Sequence, residues 1–219
     1  MLSDIICSAI LFDLDGVLVD SRGAVEHSWQ RWAEMRKFDP GAVLRIAHGR
    51  RTNETLREIA PGMDIDTEVA LLESLESEET RGLNVVPGAS ELVRQLKEGE
   101  WAIVTSGSPK VALFRMRHCG IPTPRIFVTA HDVANGKPAP DGYLAAAREL
   151  EQAPGDCLVI EDTPAGVAAG KSAGAKVLAV EGTTDAGSLD RADRITNRLS
   201  AIHVRHIDGG KIVVSLSGH

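Results

Sequence analysis

Cysteine is scarce: Cys7, Cys119 and Cys157 are the only three in the chain. They are odd in number, far apart and each set in apolar surroundings. That argues against a disulfide framework or a thiolate metal site and predicts buried free thiols in a reducing cytoplasm. Aromatic residues make up only 4%, with a single tyrosine. The tryptophans Trp29 and Trp32 stand at helical spacing, which fits a core face better than a base-stacking platform. A basic surplus is also missing: 24 basic residues face 31 acidic ones, for a net charge of -7. No nucleic-acid partner is therefore expected. Small anionic substrates stay open, because local charge in a site can oppose the global sign. No apolar run approaches the roughly 18 residues of a membrane helix, so no membrane partner is expected. Met1–Ile10 carries neither a basic segment nor a small-residue cleavage site, and the expected location is the cytoplasm. No internal repeat or low-complexity tract is visible, and a monomer is expected.

What is present is an alternation. Short apolar runs at Ser8–Phe12, Trp101–Thr105, Ile126–Thr129, Cys157–Ile160 and Lys176–Val180 read as buried strands. Between them, Ala89–Lys97, Val111–His118, Tyr143–Leu150 and Pro164–Ala173 have helical spacing, the last with proline at its start and Gly174 after its end. Strands alternating with helices predict an α/β fold, with a parallel sheet covered on both faces. From about Arg22 to Val86 the alternation stops. Ala24–Lys37, Ala42–Ala47, Thr52–Ile59 and Thr67–Thr80 are all helix-like, punctuated by Pro40-Gly41 and Pro61-Gly62. The predicted architecture is a core of residues 1–20 and 88–219, with a helical insertion at 21–87 and a return hinge at Asn84–Gly88. With 219 residues the chain is long enough for both. Beyond Gly182 the pattern weakens to one candidate edge strand, Ile212–Val214, after an Asp208-Gly209-Gly210 turn.

Ligands of parallel sheets sit beyond the carboxyl ends of the strands. Four features stand there. Asp13-Leu14-Asp15-Gly16 follows the first strand. A carboxylate can attack phosphorus, and a second one nearby can protonate the leaving alcohol and deprotonate water. Taken alone, an acidic pair with glycine is also a common turn. Thr105-Ser106-Gly107-Ser108 follows the second strand. Hydroxyls and free N–H groups at a helix start can cradle phosphate, and the plain alternative is helix capping. Lys137, between Gly136 and Pro138, can neutralise a transferring phosphate or can be an ordinary loop lysine. Glu161-Asp162 precedes Thr163-Pro164. Acids there favour a helix dipole, or they can hold Mg2+ through hard oxygens. Together the set supplies the parts of phosphoryl transfer, which rests on positioning and charge neutralisation.

The ordered motifs DLDGVLVDS, VTSGS, GKPAPDGY and VIEDTPAGVAAGKSAG resemble those of the haloacid dehalogenase superfamily, over essentially the whole chain. The resemblance implies a Rossmann-like parallel-sheet core with an inserted α-helical cap domain. It implies Asp13 as nucleophile and Asp15 as acid/base. It implies Thr105, Ser106, Gly107 and Lys137 around the phosphate, and Mg2+ held by Asp13, the Asp15 carbonyl and Asp162, with Glu161 in or near that shell. The cap stretch His48-Gly49-Arg50-Arg51-Thr52 is similar to the H-G-x-R-T segment of the deoxyglucose-6-phosphate and glycerol-3-phosphate phosphatase branch. This nominates His48, Arg51 and Thr52 as substrate contacts and a small phosphorylated sugar or polyol as substrate. The rival is a sugar phosphomutase of the β-phosphoglucomutase type. That branch has a lysine after the second motif's hydroxyl turn, where this chain has Ser108-Pro109-Lys110, and a G-x-x-R pattern that ends here on Thr52. A receiver domain shares acids, a hydroxyl and Lys-Pro, but there Lys-Pro comes last, whereas here Lys137-Pro138 precedes Glu161-Asp162.

Overall fold

The computed structural model describes residues 4–47, 52–181 and 186–217. In chain order the elements are β1 (Ile5–Cys7), β2 (Ala9–Phe12) and β3 (Val19–Asp20), then four helices, α1 (Arg22–Arg36), α2 (Pro40–Ala47), α3 (Thr52–Ile59) and α4 (Ile65–Glu76). The chain returns through β4 (Asn84–Val85) to α5 (Ala89–Val93), β5 (Trp101–Val104), α6 (Pro109–His118), β6 (Ile126–Val128), α7 (Asp141–Glu149), β7 (Cys157–Glu161), α8 (Pro164–Ser172) and β8 (Lys176–Val180). It ends in β9 (Arg194–Thr196), β10 (Ile202–Ile207) and β11 (Lys211–Leu216).

Six strands form a parallel sheet in the order β6-β5-β2-β7-β8-β9. The strand carrying Asp13 is central: Leu11 pairs with Ala102 on one side and Val159 on the other. Period-two alternation divides the strands between two cores. Ile10, Phe12, Ile103, Leu158 and Ile160 pack with Leu92, Ala112 and Met116 under α5 and α6. Ala9, Leu11, Val104, Val159 and Val177 pack with Tyr143, Ala146, Val167 and Ala169 under α7 and α8. All four residues of β2 are buried, which is why its apolar run was legible without any alternation.

The four helices between β3 and β4 have a core of their own, built on Trp29, Trp32, Val43, Leu56, Leu72 and Leu75. Trp32 packs edge-on against Trp29 and stacks on Phe38, with centroids 5.7 and 5.5 Å away. Its Nε1 donates to Glu68 (2.8 Å), and Arg36 grips the same carboxylate through two hydrogen bonds of 2.8 Å. The tryptophans are core, as their spacing predicted. The insertion is entered and left through an antiparallel ribbon in which Val19 pairs with Val85 and Asp20 with Asn84.

Three local departures from the sequence reading have simple causes. Helix α5 stops at Val93 instead of running to Lys97, because Gln95 and Leu96 bond back three residues, to Leu92 and Val93, and tighten the chain into turns. Among the described residues, the segment after Gly182 holds three strands. β9 extends the parallel sheet beside β8, and β10 and β11 form a hairpin that also pairs with β1. β9 and β10 were obscured because β9 has three residues and β10 is mostly exposed and basic, whereas the candidate edge strand Ile212–Val214 is present in β11 but lies between β1 and β10 rather than at an edge. β1 was missed because it belongs to that second sheet, not to the strand that follows it. Among the described residues, no helix is long and apolar enough to cross a membrane.

Candidate active site

The carboxyl ends of β2, β5 and β7 meet at one point. At the first, the Asp13 N–H continues the ladder by donating to the Ile160 carbonyl (3.0 Å), which aims the Asp13 side chain off the sheet edge. The chain then folds into a tight turn. Gly16 has φ of 86°, its N–H donates to the Val19 carbonyl (2.7 Å), and Leu14, Val17 and Leu18 are wholly buried. Those three side chains anchor the turn in the core, so the acids between them are held by hydrophobic packing. A Cβ on Gly16 would collide with the Asp162 carboxylate. The left-handed φ and this close approach together require glycine.

Lys137 is the centre of the cluster. Its Nζ donates to Asp13 Oδ1 (2.6 Å), Glu161 Oε1 (2.7 Å) and the Val104 carbonyl (3.1 Å), using all three ammonium donors. It also lies 5.2 Å from the centroid of the Tyr143 ring. Tyr143 donates its hydroxyl to Glu161 Oε1 (3.0 Å). Glu161 Oε2 accepts from the backbone N–H groups of Asp162 and Thr163 (both 2.9 Å) and from the Thr163 hydroxyl (3.0 Å). Glu161 is thus a clamp for Lys137, with both oxygens engaged. Thr163 Oγ1 in turn caps α8 by accepting from Gly166 N–H (3.1 Å).

The electrostatics follow from burial. Asp13, Glu161 and Asp162 are buried, with one carboxylate oxygen of each within 4.8 Å of the others, and a single ammonium, that of Lys137, pairs with the first two. Burial pushes the Asp13 carboxyl well above the usual carboxylate range; Lys137 opposes this, while Glu161 and Asp162 add to it. Burial would also raise Glu161, but the Lys137 charge and the Lys137 and Thr163 hydrogen bonds outweigh it and hold that group below its ordinary value. For Lys137, burial works against the charge, yet Asp13 and Glu161 keep the ammonium firmly protonated. Three buried carboxylates against one lysine leave negative charge to be balanced, and the oxygen donors are of the hard type that Mg2+ takes.

The remaining predicted residues divide. Thr105 is buried at the end of β5, with its N–H on the Val128 carbonyl (2.9 Å) and its hydroxyl accepting from Gly107 N–H (3.0 Å). Ser106 is exposed beside it. Ser108 stands at the N-cap of α6 without a capping hydrogen bond from its side chain, so capping does not account for this motif. Asp15 turns away from the cluster: its Oδ1 accepts from the Ser21 hydroxyl (2.6 Å) and from Arg115 Nη1 (2.8 Å). Thr52 opens α3 and is half-buried; His48 and Arg51 lie outside the described residues. The sequence reading assigned no role to Tyr143, Ser21, Arg115 or Glu76. Tyr143 and Ser21 fall inside quoted motifs. Arg115 had one signal, a charge at an apolar-face position of its helix.

Buried carboxylates gathered round a lysine at the carboxyl edge of a parallel sheet are the apparatus of an enzyme. Residues 7–174 match the haloacid dehalogenase-like hydrolase family, and the chain belongs to that family. It is 42% identical to hexitol phosphatase A of Escherichia coli (strain K12) over 213 residues, covering 95% of this chain and 99% of that protein. It is 33% identical to 2-deoxyglucose-6-phosphate phosphatase 1 of Saccharomyces cerevisiae, with 94% of each chain covered. Among solved structures it resembles a family hydrolase from Deinococcus radiodurans R1 with bound phosphate and sodium. That match has a TM-score of 0.66 and 27% identity, over 89% of this chain and 92% of the other.

Proposed function

We propose that the protein is a Mg2+-dependent phosphatase that hydrolyses small phosphorylated sugars or polyols through an aspartyl-phosphate on Asp13. The observation that carries this reading is the lysine clamp: Lys137 joins Asp13 to Glu161 at the sheet edge, next to Asp162 and the Thr105 turn. The named activities of the relatives support the substrate class. The division into a catalytic core, 1–20 and 88–219, and a cap, 21–87, goes with it, supported by the separate tryptophan-centred core of the inserted helices.

In this mechanism Thr105, Ser106, Gly107 and Lys137 surround the phosphate, Lys137 acting by its charge. An Asp13 oxygen attacks phosphorus as the bond to the substrate oxygen breaks, and Asp15 gives its proton to the departing alcohol. Asp15 then takes a proton from water, whose oxygen attacks the same phosphorus. The bond to Asp13 breaks and inorganic phosphate leaves. Asp13, the Asp15 carbonyl and Asp162 would hold Mg2+, which when bound adds the positive charge that the buried carboxylates and the phosphate require. Substrate selection falls to the cap, with His48, Arg51 and Thr52 as the proposed contacts.

The test is a phosphate-release screen over sugar, polyol and nucleotide phosphates, with Mg2+ and with chelator. The expected best substrates are monophosphorylated sugars or polyols, and only with metal. A nucleotide as best substrate overturns the class. Conversion of a sugar 1-phosphate to its 6-phosphate without phosphate release makes the protein a mutase.

A further inference from the structure

We infer that Arg115 is a positioning residue that ties the Asp15 carboxylate to the cap through Glu76; the inference rests on Asp15 being the acid/base. Arg115 lies on α6 with Val111, Ala112 and Met116, the buried face of a core helix. A guanidinium there, with only 5% of its side chain exposed, is costly unless its charge is met. It is met twice, by residues from two other parts of the chain. Nη1 donates to Asp15 Oδ1 (2.8 Å) in the turn after β2, and Nη2 donates to Glu76 Oε2 (2.7 Å), the last residue of cap helix α4. Helix α4 packs on α6 at this point. A guanidinium can serve two carboxylates at once, each through a different nitrogen of its planar fork.

The geometry has a direction. Asp15 Oδ1 is held from the core by Arg115 and from the hinge by Ser21, which stands between β3 and α1. The other oxygen, Oδ2, takes no hydrogen bond among the described residues, and the side chain is 30% exposed. One oxygen is thus fixed and the other is presented for proton transfer. Any shift of α4 against the core pulls on Glu76, and through Arg115 on the carboxylate that must meet the leaving oxygen and then the water. Arg115 touches no reacting atom, so its effect should fall on the steps that need Asp15.

The experiment is rapid-quench kinetics with p-nitrophenyl phosphate and Mg2+ on the full chain, alongside thermal melts. The main variant is the double substitution Arg115→Met with Glu76→Gln, which avoids leaving a buried carboxylate unpaired. Arg115→Met alone and Asp15→Asn accompany it. p-Nitrophenolate leaves with little help from an acid, so phosphoenzyme formation should survive while its hydrolysis fails. The expected result for the double variant is a near-wild-type melting temperature, a nitrophenol burst of about one equivalent, and steady-state turnover lowered about 10- to 100-fold. Turnover within about twofold of wild type, or burst and steady state falling together, overturns the inference. Asp15→Asn separates it from its premise. If that variant clears phosphoenzyme as fast as wild type, the acid/base reading itself fails. If it stalls while the double variant does not, only the role of Arg115 fails.

Discussion

Lys137 and Glu161 form a buried ion pair of 2.7 Å, Nζ to Oε1, on the same ammonium that holds Asp13 at 2.6 Å. They are 24 residues apart in sequence and reach each other from the loop before α7 and the end of β7. The pair holds Asp13 from behind, because Glu161 is itself held by Tyr143, Thr163 and two backbone amides.

Lys137→Met keeps the aliphatic stem and removes the charge. Asp13 and Glu161 would then be buried carboxylates without their counter-ion, a loss of about 3–5 kcal/mol for breaking one partner of a buried pair. The expected outcome in urea unfolding is a destabilisation of that order, together with loss of turnover. A fully stable variant would show that the pair contributes little.

Gly166→Ala sets two effects against each other. In a helix interior alanine is favoured over glycine by about 1 kcal/mol. Here a Cβ would run into the Glu161 carboxyl group. Packing against a fixed, fully bonded carboxylate should win, so the variant is expected to melt lower than wild type and to lose activity as Lys137 is displaced. A higher melting temperature with full activity would contradict this.

Asp13→Asn is expected to abolish turnover. The melting temperature in chelator should equal or exceed that of wild type, because burial beside Glu161 and Asp162 disfavours the charged carboxylate. Mg2+ should raise the wild-type melting temperature, by about 2.7 kcal/mol of stability at a hundredfold excess over its Kd. Asp162→Asn should remove most of that increment. Thermal melts with and without Mg2+ check both statements, and activity restored by Mg2+ after chelation checks the requirement for metal.

Glu79 gives a pH signature at the exit from the helical insertion. The Arg81 side chain grips its carboxylate with Nε and Nη2 (2.9 and 2.7 Å), and against the opposing effect of burial holds its pKa down at about 2, from an ordinary 4.5. A depressed carboxylate pKa stabilises the folded state above the unfolded value, and that contribution fades as pH falls from about 4.5 to about 2. Glu79→Gln should therefore melt below wild type at neutral pH, with the gap closing across that window. The Arg81 side chain is 61% exposed, so the gap should be modest and should narrow in high salt. A gap that is constant with pH would assign the loss to packing.

Much of the core was legible because a strand buried on both faces must be a continuous apolar run. The runs ending at Phe12, Val104 and Ile160 are such strands. The acids, hydroxyl and lysine stood at or near their ends, where a parallel sheet places its ligands. β1, β9 and β10 were not legible. They are short or exposed, and β1 in addition owes its place to a partner distant in the chain, Ile5 pairing with Val214. Arg115 was hidden for a related reason. Sequence can flag a charge on an apolar helix face, but its partners Asp15 and Glu76 lie 100 and 39 residues away.

The sequence by itself determined the alternation of buried strands and helices in the core, the helical character of the insertion and the identity of the groups at the sheet edge, because each depends on local periodicity or on a motif read in place. Only the tertiary structure decided what those groups do to one another. It made Glu161 a clamp on Lys137, gathered Asp13, Glu161 and Asp162 within 4.8 Å, and tied Asp15 to Arg115 and Ser21. Hydrogen bonds and charge interactions act over a few ångströms in space, and the spacing of residues along a chain does not measure that distance.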